Sequence, residues 1–200
     1  MSAVMVVLAG PNGAGKSTVY RTQIAPTLRA PFINADEIQR DELGDPSPGA
    51  AYEAARIAEA RRDAALQAGQ SFATETVFSH PSKLDLVTRA RKAGFAVVVL
   101  HVGIETADLA VARVLERVVE GGHPVPENKI RARFRRNGAL IRQAVLIADQ
   151  GHVFDNSGWN TPPRRVLRFA RGRIVEVDPP VPPWVGAIYA PDITRRPPQL

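Results

Sequence analysis

The chain contains no cysteine. That excludes a disulfide, a thiolate nucleophile and a cysteine-based zinc site, and it suits a cytoplasmic setting. Aromatic residues make up only 6% of the sequence. They do not alternate with basic residues, which argues against a stacking platform for single-stranded nucleic acid. Long apolar runs are also missing. The longest, Val4–Ala9 and Phe95–Leu100, fall far short of the ~20 residues that span a bilayer, so no membrane partner is expected. The first of them ends in a glycine-rich loop rather than a cleavage site, and no basic segment precedes it, so it is not read as a signal peptide. His80, His101 and His152 lack metal-ligand spacing, so no protein-held metal site is expected.

What is present fits one large domain with a tail: 200 residues, 44% of them hydrophobic. The net charge is +6, and seven arginines lie between Arg113 and Arg142. No base-reading element accompanies them, so no nucleic-acid partner is expected. Arginines that clamp nucleotide phosphates explain part of the cluster, and a solvated helix face the rest.

The most informative stretch is Gly10-Pro11-Asn12-Gly13-Ala14-Gly15-Lys16-Ser17-Thr18. It follows the β-branched run Ala3–Ala9 and precedes a helix-like segment from Gly15 to Leu28. The pattern is G-x-x-x-x-G-K-S in the order strand, turn, helix, which gives a phosphate-binding loop its meaning. Glycines let the backbone amides approach a polyphosphate, and the helix start adds its unpaired N–H groups. Lys16 supplies a charge for the β- and γ-phosphates, and the Ser17 hydroxyl can hold Mg²⁺.

Strands then alternate with helices. Phe32-Ile33-Asn34 reads as a short strand, 50–68 as a helix, 71–78 as a third strand, 81–92 as a helix and 95–102 as a strand buried on both faces. Helices over 106–119 and 127–148 flank Gly121-Gly122-His123, and 152–157 is a last strand with its exit. This order predicts a three-layer α/β fold of the phosphate-loop NTPase and kinase type, with a parallel sheet and a helical flap over about 106–148. The expected division is a domain at 1–160, a hairpin at 161–178 and a Pro-rich tail at 179–200. The tail is read as extended over the domain or partly disordered, and Trp184, Ile188 and Tyr189 can anchor it against the surface.

Chemistry is expected at the carboxyl ends of the strands. Asp36 sits there after the second strand. It can take a proton from an acceptor hydroxyl, or it can cap a helix. Glu75, beside Thr76, can bind a sugar or Mg²⁺-bound water, or can be an ordinary strand-end residue. Arg113 and Arg117 share a helix face. With Arg131, Arg133, Arg135 and Arg136 they can close over a transferring phosphoryl group.

Five blocks in chain order carry a family resemblance: Leu8–Thr18, Asn34–Ile38, Ser71–Thr76, Gly121–Pro126 with Ile130–Phe134, and Asp155-Asn156-Ser157. Together, from about residue 3 to 157, they resemble the zeta toxin family. The resemblance implies a phosphotransferase that uses ATP or GTP with Mg²⁺ held at Ser17. The acceptor it implies is UDP-N-acetylglucosamine, a nucleotide sugar, phosphorylated on the 3′-hydroxyl of its amino sugar. It also implies a small helical antitoxin as partner. The family's loop lysine falls on Lys16, its catalytic aspartate on Asp36, its strand-three glutamate on Glu75 and its first flap arginine on Arg117. His123 stands where some members carry the second flap arginine, and Arg131 or Arg133 can take that role. By the same matching, 10–18 and Asn156 contact the nucleotide, and Asp36, Glu75, Thr76 and His123 the acceptor. A kinase of another small metabolite or drug would use the same parts. A nucleotide-dependent switch without an acceptor would share the loop.

Overall fold

In the computed structural model, residues 2–119 and 124–194 are described. Short apolar segments rich in valine form the middle of a seven-stranded sheet: β1 (Val4–Ala9), β2 (Phe32–Ile33), β3 (Phe72–Thr76), β4 (Ala96–Gly103), β5 (Gln150–Asp155), β6 (Arg164–Ala170) and β7 (Arg173–Val177). Their order in space is β2-β3-β1-β4-β5-β6-β7. The first five run parallel, and β6 and β7 continue the sheet antiparallel. The register sets Leu8 beside Glu75 and Ala9 beside Thr76. The carboxyl ends of β2, β3 and β1 are therefore neighbours, and the sequence that leaves each of them carries a candidate site residue.

The helices are α1 (Lys16–Val19), α2 (Ala35–Glu37), α3 (Pro48–Gln67), α4 (Ser82–Lys92), α5 (Ala107–Val119), α6 (Glu127–Ile147) and α7 (Pro183–Ile193). Both faces of the sheet are covered, which is what uninterrupted valine runs demand. Ala54, Ala58, Leu86, Val87, Ile141, Val145 and Val185 pack on one face. Val19, Ala110, Val111, Val114 and Ile130 pack on the other. The α6 helix contributes to both, with Ile130 in one core and Ile141 in the other, so it wraps over the strand ends where the site lies.

Three expectations need correction. The first helix does not run to Leu28. After Val19 it widens into a π-helical turn, Tyr20–Ile24. Pro26 has no N–H with which to continue the ladder, and the Thr22 hydroxyl bonds back to the Thr18 carbonyl. The segments around Arg165–Phe169 and Arg173–Val177 do form a hairpin, with positive φ at Arg171 and Gly172 as a tight two-residue turn requires. It is not an appendage, however, because β6 pairs with β5 and enlarges the central sheet. Finally, the Pro-rich stretch from Pro183 is helical rather than extended. Pro182 and Pro183 stand at the helix start, where a missing N–H costs nothing, and the next proline, Pro191, comes only near the helix end.

Trp184 and Tyr189 anchor α7, as expected, and Ile188 packs against the same core. Tyr189 is fully buried, and its hydroxyl lies 2.8 Å from His101 Nδ1 on β4. Burial lowers the His101 pKa to about 3. Unfolded histidine titrates near 6.5, so below that value the unfolded chain binds a proton that the native chain refuses. Stability is therefore fully present above about pH 6.5 and falls as the pH drops toward 3. Burial also lowers the pKa of His152, with Arg165 and Arg168 adding to it, in the same direction. Denaturant melts between pH 7 and pH 5 should show a loss of up to ~1.4 kcal/mol per pH unit per histidine. The slope should be shallower in His101→Phe, and an equal slope in that variant would contradict the assignment.

Candidate nucleotide and phosphoryl-transfer site

The loop from β1 to α1 folds back on itself because its glycines permit it. A side chain at Gly10 would overlap the carbonyl of Val102 on β4. Gly15 has φ +82°, a left-handed conformation that L side chains rarely adopt. The Ala14 N–H donates to the Pro11 carbonyl at 3.3 Å, closing the turn. From the far side, Asn156 Nδ2 donates to the Ala14 carbonyl at 2.9 Å. Arg113 in turn holds the Asn156 and Gly158 carbonyls, each at 2.7 Å. This guanidinium lies 5.6 Å from the ring of Trp159. Asn156 and Arg113 thus make a clamp between α5, the exit of β5 and the phosphate loop. The sequence pairs Arg113 with Arg117 on one helix face, and nothing in its pattern assigns Arg113 to backbone carbonyls.

Lys16 is 5% exposed. Its ammonium donates to the Pro11 carbonyl at 3.0 Å and lies 3.5 Å from Glu75 Oε1. The other carboxylate oxygen of Glu75 accepts from the Ser17 hydroxyl at 2.9 Å. Glu75 therefore faces the phosphate loop and touches both of its functional side chains. Thr76 is used locally: its hydroxyl accepts from the Phe78 N–H at 3.0 Å, and its carbonyl from the Gly10 N–H at 3.4 Å.

Asp36 lies in the first turn of α2, exposed. It is not the helix cap. Asn34 is the N-cap, and its side chain accepts from the Asp36 N–H at 3.0 Å. The Asp36 carboxylate makes no side-chain hydrogen bond or ion pair within the described residues. Glu37, its neighbour, escaped the sequence reading. Its carboxyl pKa is raised mainly by burial; Arg40 opposes the shift, and Glu75 adds to it. It lies close enough to Glu75 to feel its charge, on the same edge of the sheet.

The sequence profile of the zeta toxin family matches residues 2–161. The chain belongs to the zeta toxin family. An uncharacterised protein from Haemophilus influenzae is 28% identical over 131 residues, covering 64% of this chain and 91% of that one. Among solved structures, AvrRxo1-ORF1:-ORF2 with ATP superposes with a TM-score of 0.66 at 16% identity, over 88% of this chain and 61% of that one. This zeta toxin chain thus spans about three fifths of that larger protein. The PezAT chromosomal toxin-antitoxin system of Streptococcus pneumoniae gives a TM-score of 0.58 at 16% identity, over 78% of this chain and 69% of that one. At these identities the structural likenesses concern the fold, a mixed α/β phosphate-loop kinase fold with a mostly parallel sheet.

The arginine-rich segment divides within this zeta toxin fold. Arg131 is held by Asp108 at 2.7 Å and Glu127 at 2.8 Å, which ties α6 to α5. Arg133 reaches the phosphate loop itself, donating to Asn12 Oδ1 at 3.4 Å. Arg136 donates to the Ala132 carbonyl of its own helix. Arg142 makes a two-pronged pair with Asp192 at 2.6 and 2.8 Å, joining α6 to α7. Arg117 is exposed on α5. His123, with Gly121 and Gly122, lies outside the described residues. No helix among the described residues is long and apolar enough to cross a membrane.

The clamp is open to test. Asn156→Ala removes the bond to the Ala14 carbonyl, which should cost ~1 kcal/mol, or a drop of ~2–4 °C in thermal midpoint. ATP should bind several-fold more weakly in equilibrium titration. Unchanged ATP affinity would mean that the loop holds its shape without the clamp.

Proposed function

We propose that the chain is an ATP-dependent kinase that phosphorylates a hydroxyl of a small acceptor, UDP-N-acetylglucosamine on its amino sugar. GTP can replace ATP as donor. The observation that carries this reading is the contact of Glu75 with both Lys16 and Ser17, on the sheet edge from which α2 also starts, together with an Asp36 carboxylate that makes no hydrogen bond or ion pair among the described residues. A pure nucleotide switch needs the first feature and has no use for the second.

Each residue has a task. Backbone N–H groups of 10–18 cradle the phosphates. Lys16, now satisfied by Pro11 and Glu75, exchanges part of that contact for β- and γ-phosphate oxygens. The Ser17 hydroxyl and Glu75 carboxylate are hard oxygen donors lying side by side, a set that fits Mg²⁺. When bound there, Mg²⁺ neutralises charge on the phosphate oxygens. Asp36 accepts the proton of the acceptor hydroxyl as the oxygen of that hydroxyl forms its bond to the γ-phosphorus and the bond from that phosphorus to the β,γ-bridging oxygen breaks, its electron pair leaving on ADP.

Arg117 and Arg133 supply the flap charges. Arg133 is favoured over Arg131 because it already contacts Asn12, whereas Arg131 is engaged by two carboxylates. Thr76 and His123 remain candidates for acceptor contacts, and Asn156 for nucleotide contact through the loop. PezAT is described as a toxin-antitoxin system and AvrRxo1-ORF1:-ORF2 as a two-component structure. Both support a small antitoxin as partner. The proposed donor and acceptor are cytoplasmic metabolites, which supports a cytoplasmic location.

Asp36→Asn tests the base. Acceptor phosphorylation should fall by on the order of 10²–10⁴, while ATP affinity and melting temperature hold, because Asn34 and not Asp36 caps the helix. Unchanged turnover in a stable variant would end the catalytic assignment. For the flap, Arg133→Ala should lower kcat by on the order of 10² with a smaller rise in KM for ATP. Arg131→Ala should chiefly lower the melting temperature. The reverse pattern would exchange their roles.

A further inference from the structure

The C-terminal helix α7 lies wholly beyond residue 161, where the family match ends. It is nonetheless bonded to the strand that supports the phosphate loop. Trp184 is buried in the first turn of α7, and its indole N–H donates to Asp155 Oδ1 at 2.8 Å. An indole N–H can only donate and an ionised carboxylate can only accept, so this pairing has no alternative sense. It fixes the side chain of the last residue of β5. The ring reaches that place because Gly103, the sheet partner of Asp155, has no side chain: an added carbon there would overlap it.

From Asp155 the bonds run on to the phosphate loop. The same Oδ1 accepts from the Ser157 hydroxyl at 2.6 Å, and that hydroxyl accepts from the Glu105 N–H at 2.9 Å. Asn156 lies between these two held residues. Its own N–H donates to the Gly103 carbonyl at 2.9 Å, which sets the direction in which its side chain leaves the backbone. That side chain donates to the Ala14 carbonyl at 2.9 Å and stands against Gly15, where an added carbon would overlap its amide nitrogen. One hydrogen bond, one peptide link and one further hydrogen bond thus join Trp184 to the phosphate loop.

Without the indole N–H, Asp155 has a competing partner. Arg113 donates to the Asn156 and Gly158 carbonyls. Burial lowers the pKa of its guanidinium, and Glu116 and Asp155 oppose that shift. The Asp155 carboxylate is therefore within electrostatic reach of Arg113. Released from Trp184, it can draw the guanidinium away from the two carbonyls. The clamp on the loop would then loosen, and ordering the loop again on binding costs affinity. The attachment of α7 does not depend on this bond. Arg142 pairs with Asp192, and the Tyr189 hydroxyl meets His101, so the helix stays fastened to α6 and to β4.

We propose that Trp184 is a positioning residue of the nucleotide site: its indole N–H holds Asp155, and through it Asn156, so that the phosphate loop keeps the shape that ATP binds. The C-terminal helix is then a working part of the nucleotide site and not only a cover for the sheet. The inference rests on the nucleotide-binding part of the kinase reading above, and its test requires no acceptor.

ATP with Mg²⁺ is titrated into the full chain at equilibrium. Trp184→Phe keeps an aromatic ring near Gly103 and removes the donor; it should bind ATP about threefold to tenfold more weakly. Asp155→Ala, which removes the other end of the bond, should show the same loss, and either variant suffices if the other fails to fold. Thermal midpoints check folding. Tyr189→Phe removes a different bond of α7, the one to His101; it should lower the thermal midpoint and leave ATP affinity unchanged. Combining Trp184→Phe with Asn156→Ala should weaken ATP no further than Asn156→Ala alone, because both act through the same contact. Unaltered ATP affinity in folded Trp184→Phe and Asp155→Ala overturns the inference. So does an equal loss in Tyr189→Phe, or losses that multiply in the double variant, since either would make Trp184 a packing residue only. The expected pattern in a chain that transfers no phosphoryl group would leave the role of Trp184 in place and refute the kinase reading instead.

Discussion

A lysine almost wholly withdrawn from water must be given partners, and around Lys16 those partners define the molecule. Its ammonium rests on the Pro11 carbonyl and beside Glu75. That contact is possible only because β1 and β3 are adjacent and parallel, in a register that sets Leu8 beside Glu75. Both strands must therefore be covered on two faces, which requires crossover helices and apolar runs such as Met5–Ala9. Leaving a buried ammonium without its carboxylate would cost several kcal/mol. The same contact keeps Lys16 and Ser17 in position before any nucleotide arrives, so little reorganisation remains for binding.

The elements that lie outside the nucleotide centre are fastened to it by directed bonds. Arg113 and Asn156 hold the phosphate loop from the side of β5. Asp155, one residue earlier, accepts from both Trp184 and Ser157. The C-terminal helix, the last parallel strand and the phosphate loop thus share one short stretch of backbone. A disturbance of α7 is expected to reach the nucleotide through Asp155-Asn156.

Much of this was legible in the sequence, for identifiable reasons. Gly10–Ser17 announced itself because close phosphate approach restricts residue types at fixed spacings. The parallel strands did so because burial on both faces leaves unbroken valine runs. Asp36 and Glu75 stood out by their positions at or just past strand ends, where position alone left a structural role equally open. Other features depend on contacts between residues far apart in the chain. Arg113 reads as one more arginine of a basic helix until Asn156 and Gly158 are beside it, 43 and 45 residues away. The α7 helix was hidden by its prolines, whose effect depends on whether they fall at a helix start or inside it. Arg131 and Arg133 are two residues apart and equivalent in sequence, yet one is neutralised by Asp108 and the other faces Asn12.

The central claim is that the Lys16–Glu75–Ser17 arrangement serves phosphoryl transfer to an acceptor rather than nucleotide storage. The most direct measurement follows labelled γ-phosphate from ATP into UDP-N-acetylglucosamine, by the unaltered chain and by Lys16→Ala. The account predicts acceptor-dependent transfer that falls by on the order of 10² or more in the variant, with the fold retained. Equal transfer by a folded Lys16→Ala variant would contradict it, as would ATP consumption by the unaltered chain that never delivers phosphate to an acceptor.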